Sequence, residues 1–126
     1  MKLSELEINK ILIDKEIILS SLILRKYLKS LQKESHIDKT EKLPVFFPTA
    51  LIFGEIFKKY SLPDGTIHLS QKIIFTKPII QNTNIHAFAK INKNTVKAGK
   101  RLISIKVYIY SNNSTMHESD CNLLVS

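Results

Sequence analysis

The stretch Pro44-Val45-Phe46-Phe47-Pro48-Thr49-Ala50-Leu51-Ile52-Phe53-Gly54-Glu55-Ile56-Phe57-Lys58-Lys59-Tyr60 constrains this chain more than any other. After a proline-bounded aromatic lead-in, Thr49 is placed to cap a helix with its hydroxyl, and the spacing predicts that helix over 50–60. Its only charges, Glu55, Lys58 and Lys59, share one narrow stripe at i, i+3 and i+4. Nearly all of the remaining circumference is apolar, so the rest of the chain has to enclose it. Pro63 cannot extend the helix, and Asp64-Gly65 supplies the chemistry of a reversal.

Downstream, the apolar period changes from helical to two-fold. Thr66 to Thr76 is β-rich, with Ile67, Leu69, Ile73 and Phe75 read as one face. Thr83 to Asn92 sets Ile85, Ala87, Ala89 and Ile91 against Asn84, His86, Phe88 and Lys90, and the small alanines leave room for a bulky neighbour such as the helix. Asn92 to Thr95 reads as a turn or a bulged corner. Leu102 to Tyr110 is the longest strict alternation, with Ile103, Ile105, Val107 and Ile109 on one side. Ser111 to Ser114 forms a hairpin loop, and Met116 to Val125 is the last strand. Upstream, Leu6, Ile8 and Ile11–Ile13 suggest a first strand, turned by Asp14-Lys15-Glu16. From Glu16 to Gln32, Ile17, Leu24, Leu28 and Leu31 fall at helical spacing opposite Arg25, Lys26 and Lys29, an extra amphipathic helix packed on the surface.

With 126 residues, 44% of them hydrophobic, one domain over 1–126 can bury a real core. The apolar runs at 11–13 and 17–19 are split by charges, so neither a secretory leader nor a membrane span is expected, and a cytoplasmic location is. Cys121 is the only cysteine, which excludes an internal disulfide. Four histidines, His36, His68, His86 and His117, show no zinc spacing, so no metal and no cofactor are expected. The net charge is +8, and every charge between Gly65 and His117 is basic. Such a surface suits phosphates or an acidic protein; nucleic acid is disfavoured by the lack of a helix-turn-helix pattern or an aromatic-rich binding strand.

One apolar helix followed by four long strands is the pattern of an α+β hot-dog domain, an antiparallel sheet wrapped around one central helix. The residues also resemble a family. Leu43-Pro44-Val45-Phe46-Phe47-Pro48 and the helix after it are part of the likeness, as is Gly65-Thr66-Ile67-His68-Leu69-Ser70. Lys77-Pro78, Ala98-Gly99-Lys100 and Met116-His117-Glu118-Ser119 complete it; in order and spacing these resemble MaoC-like acyl dehydratases and hydratases from about Ser20 onward. The resemblance implies a homodimer that binds acyl thioesters of coenzyme A or of acyl carrier protein and hydrates trans-2-enoyl groups. It also implies an Asp/His pair before the helix and a thioester carbonyl held at the helix N-terminus, at Phe47, Pro48, Thr49 and Ala50.

This chain departs from the family's D-x-N-P-x-H-like segment. His36 is the only histidine in that region, and Leu31 stands where the aspartate belongs. The candidate pair is therefore His36 with Asp38, or with Glu34, as the carboxylate that orients the imidazole. His68, at the start of a strand, is an alternative, although alternation assigns it to the outer face. Glu55 is a second, since a carboxylate on the central helix can serve a thioesterase, but Lys59 at i+4 offers it an ion pair. His86 reads as solvent or a subunit contact, His117 as surface. Gly54 reads as a place where a strand or a partner helix comes close. The basic turn of Lys93, Lys97, Lys100 and Arg101 suits coenzyme A phosphates or an acidic carrier protein. A hot-dog module that binds acyl thioesters or a protein without catalysis fits the same features.

Overall fold

In the computed structural model of the chain, residues 2–20, 22–23, 25–26, 47–77, 79, 82–111 and 114–125 are described. One helix, α1 (Phe47–Lys59), packs on a five-stranded antiparallel sheet. Its strands are β1 (Ile11–Leu19), β2 (Ile67–Phe75), β3 (Thr83–Lys97), β4 (Lys100–Ser111) and β5 (Ser114–Val125), ordered β1-β3-β4-β5-β2. A 3-10 turn, Leu3–Glu5, precedes them. No helix among the described residues is long and apolar enough to cross a membrane.

The alternations of β3 and β4 give the inner face. Ile85, Ala87, Ala89 and Ile91 lie beside Ile109, Val107 and Ile105 and are sealed from solvent, as is Ile103 further along β4. Against this floor α1 buries Phe47, Ile52 and Ile56. On the opposite face Phe88 lies beside Tyr108, which stacks on Tyr110 with ring centroids 5.9 Å apart. The corner expected at 92–95 is a bulge inside β3, and the reversal comes at Ala98-Gly99, where φ of 54° and 76° supplies the left-handed pair of a tight hairpin.

The N-terminal third differs from expectation. The strand continues through Asp14-Lys15-Glu16 instead of turning there. An edge strand tolerates charge, and each of these finds a partner. Lys15 points inward to Glu55 of α1 at 3.2 Å, while on the other face Asp14 contacts His86 and Glu16 accepts from Asn84 at 3.4 Å. Ile17 consequently belongs to β1. Helical residues begin only after Ser20, whose Oγ accepts the amide of Ile23 at 3.2 Å; Leu22, Ile23, Arg25 and Lys26 are helical. The remainder of the expected amphipathic helix lies outside the described residues.

α1 begins at Phe47 rather than Ala50, so Thr49 sits in its first turn instead of capping it. Enclosure is also incomplete, because Ala50, Gly54 and Lys58, spaced by four, form an exposed stripe. The two ends of the fold follow from local contacts. Leu3 donates to the carbonyl of Ser61, just beyond α1, while Asn94 donates to the carbonyls of Ser4 and Leu6. The C-terminal end of α1 therefore lies at the β3–β4 hairpin, and its N-terminus at the opposite end of the sheet.

Candidate functional site

Thr49, Ala50, Phe53, Gly54 and Phe57 follow one another along α1 at helical spacing and form one wall of an open-sided cavity of about 710 Å³. The other wall is His68, Gln71, Ile73 and Phe75 of β2 with Cys121 and Leu123 of β5, and Leu62 lies in the connection between α1 and β2. A bulge decides which β2 residues take part. Antiparallel partners share a face, and the register slips between His68 and Ser70, so His68 pairs with Leu123 while Gln71, Ile73 and Phe75 pair with Cys121, Ser119 and His117. His68 thus joins the inner face, and Ile67, opposite Leu124, takes the outer one. The outer placement expected for His68 assumed unbroken alternation and is corrected by this extra residue.

The lining is apolar except for a few groups. Thr49 is buried, and its hydroxyl has no hydrogen-bond partner. It stands in the first turn, where amides have no partner within the helix itself and Pro48 has no N–H to offer. Gln71 Nε2 reaches Ser119 Oγ at 3.4 Å. Burial pushes the Cys121 thiol up to about 11, so it is protonated at neutral pH. His117 is buried rather than on the surface, because it faces inward beside Phe75, whose ring meets it edge-on at 4.8 Å. Burial holds its imidazole below the ordinary value, and its Nδ1 is unpartnered. The alternation Thr115, His117, Ser119, Cys121, Leu123 was the signal that could have placed His117 inside. Chemically, the cavity offers an apolar channel that begins at a helix N-terminus carrying one unsatisfied hydroxyl, an arrangement suited to a carbonyl with a hydrocarbon tail.

The remaining site candidates fall elsewhere. His36, Asp38 and Glu34 lie outside the described residues. Phe47, Pro48, Thr49 and Ala50 form the first turn of α1, but only Thr49 and Ala50 line the cavity. Glu55 does not line it; its partner is Lys15 of β1 and not Lys59, whose Nζ lies over the Tyr60 ring. Among the described residues no strand approaches Gly54, since a Cβ there would meet nothing within 4 Å. Lys97, Lys100 and Arg101 sit at the β3–β4 hairpin, at the end of the sheet away from Thr49, with Arg101 donating to Asn94 Oδ1 at 2.7 Å. The structure does not bring the helix N-terminus and the basic turn of one chain together. No group of metal-ligating side chains occurs among the described residues.

Neither a protein-family profile nor a characterised protein sequence matches this chain. Its fold is shared with solved structures. A chain of the HadBC (3R-hydroxyacyl-ACP dehydratase) complex from Mycobacterium tuberculosis superposes with a TM-score of 0.69 at 14% identity, over 95% of this chain and 98% of that one. The (R)-hydratase from A. caviae involved in PHA biosynthesis gives 0.72 at 11% identity, over 97% and 98%. A MaoC-like dehydratase from Rhodospirillum rubrum gives 0.64 at 10% identity, over 99% and 96%. At such identities the likeness establishes the architecture, which is the hot-dog fold.

Proposed function

We propose that this chain binds acyl thioesters and acts as an (R)-specific enoyl-thioester hydratase or, in reverse, a 3-hydroxyacyl dehydratase, on coenzyme A or acyl-carrier-protein substrates. The observation that carries this reading is the apolar cavity that starts at the buried, unpartnered Thr49 hydroxyl on the N-terminal turn of α1. In the proposed reaction the amides near Thr49 and Ala50 hold the thioester oxygen, where negative charge develops as water adds at C3. His36, oriented by Asp38 or Glu34 in the segment leading into α1, takes the proton from water and returns one to C2. No cofactor enters this scheme. The basic turn of Lys93, Lys97, Lys100 and Arg101 is assigned to a nucleotide phosphate or an acidic carrier protein, and with Thr49 at the other end of the sheet it serves a neighbouring subunit or a long carrier arm. The exposed Ile67, Leu69, Ile74 and Phe75 of the edge strand β2 support pairing with a second copy.

One sequence observation favours a second reading, a non-catalytic acyl-thioester module: Leu31 replaces the aspartate of the hydratase segment. Thioesterase chemistry through Glu55 is the weakest of the three, because that carboxylate faces Lys15 and not the cavity. Incubation with trans-2-enoyl-coenzyme A, starting with the crotonyl thioester, tests the choice by loss of the enoyl absorbance. Hydration that disappears in His36→Ala supports the enzyme. Saturable binding without hydration leaves the module, and absence of both overturns the acyl-thioester reading.

A further inference from the structure

We propose that Gly54 sets the length of acyl chain the cavity accepts, and that the preferred chain has about eight to ten carbons; this rests on the acyl-thioester reading above. A glycine in the middle of a helix usually marks a close approach by another backbone, and among the described residues of this chain none comes close, because a Cβ would meet nothing within 4 Å. Gly54 instead lines the cavity, between Phe53 and Phe57 on the same helix face. Its missing side chain is therefore space that belongs to the cavity.

The position of that space fixes a length. The α-helical rise of about 1.5 Å puts Gly54 about 7.5 Å along the axis from Thr49. Carbon–carbon bonds of about 1.5 Å advance roughly 1.3 Å each in a zigzag chain, so an acyl group whose carbonyl carbon lies at Thr49 brings about its seventh carbon level with Gly54. Phe57, three residues on, accommodates roughly three or four carbons more, and Leu62 and Leu123 line the cavity toward that end of the helix. A side chain grafted at residue 54 would project into the channel at its midpoint. Short chains would still seat; long ones would be blocked.

The experiment is a binding and turnover series with acyl- and trans-2-enoyl-coenzyme A of four to twelve carbons, on the full chain and on Gly54→Ala and Gly54→Leu. The full chain is expected to favour eight to ten carbons. Gly54→Leu is expected to lose the eight- and ten-carbon ligands by at least roughly tenfold, the scale of one or two methylenes in an apolar pocket, while four carbons change by less than about twofold. Gly54→Ala, which should fold at least as well as the parent chain, is expected to give a smaller shift in the same direction and provides the answer if Gly54→Leu does not fold. A parent chain that prefers four carbons, or variants that lose all lengths equally or none, would overturn the proposal while leaving thioester binding intact. Failure of the parent chain to bind any acyl thioester would instead remove the reading on which it rests.

Discussion

The two halves of the sheet under α1 are built from similar strands and end differently. On the β1–β3–β4 side, Ile85, Ile91, Ile105 and Ile109 close against Ile52 and Ile56 without solvent access. On the β5–β2 side the same helix presents Thr49, Ala50, Gly54 and Phe57 to a cavity, and the facing β2 residues His68, Gln71 and Phe75 remain exposed. The difference is one of volume. Both edge strands carry a bulge, but toward β1 the helix presents the bulky Ile52 and Ile56, whereas toward β2 it presents Ala50 and Gly54 and leaves space that nothing in the described chain fills. One side of the helix is therefore spent on stability and the other is free for a ligand.

If that contrast is right, substitutions on the two sides should diverge. Ile105→Ala is expected to destabilise the protein by about 2–5 kcal/mol in urea unfolding, as large-to-small changes in sealed cores do. Ile73→Ala, on the hollow side and only half-buried, should cost about 1 kcal/mol, a typical value for a point substitution; equal losses would show that the cavity side is packed in solution. Thr49→Val removes a buried hydroxyl that has no partner, and should raise stability by about 1 kcal/mol while weakening acyl-thioester binding in calorimetry. A stability loss would mean that the hydroxyl is satisfied in the free protein. Gly54→Ala is expected to add up to ~1 kcal/mol to the same unfolding measurement, because the helix gains and no neighbour is displaced.

The smallest expected effect is a pH dependence from His117. Its folded pKa lies below the ordinary 6.5 because it is buried. Between the folded and unfolded values the unfolded chain binds more protons, so its contribution is present above about pH 6.5 and is lost as pH falls through the folded value. Thermal melts at pH 7.5 and pH 5 should show this loss, and His117→Leu should reduce it. An unchanged slope in that variant would mean that acid destabilisation arises elsewhere.

Much of the filled half was legible in the sequence. Ile103, Ile105, Val107 and Ile109 alternate without interruption, and from Ile105 onward burial follows the two-fold period because both neighbouring strands hold β4 in register. The hollow half was harder to read. A one-residue bulge at the start of β2 reverses the assignment of His68 and Ile67, and nothing in local composition announces it. Likewise Asp14-Lys15-Glu16 reads as a turn on polarity alone; only Glu55, forty residues away, and His86 and Asn84 on β3 explain how those charges sit in a strand.

By itself the sequence determined an apolar helix, four following strands and the fold that encloses one with the other, since hydrophobic period and turn chemistry are local properties. The tertiary structure decided where that enclosure stops. Which face His68 occupies, that Glu55 answers Lys15, that His117 is buried, and that Gly54 opens a cavity all depend on strand register and helix placement. Those are set by contacts between residues far apart in the chain, which no local pattern encodes.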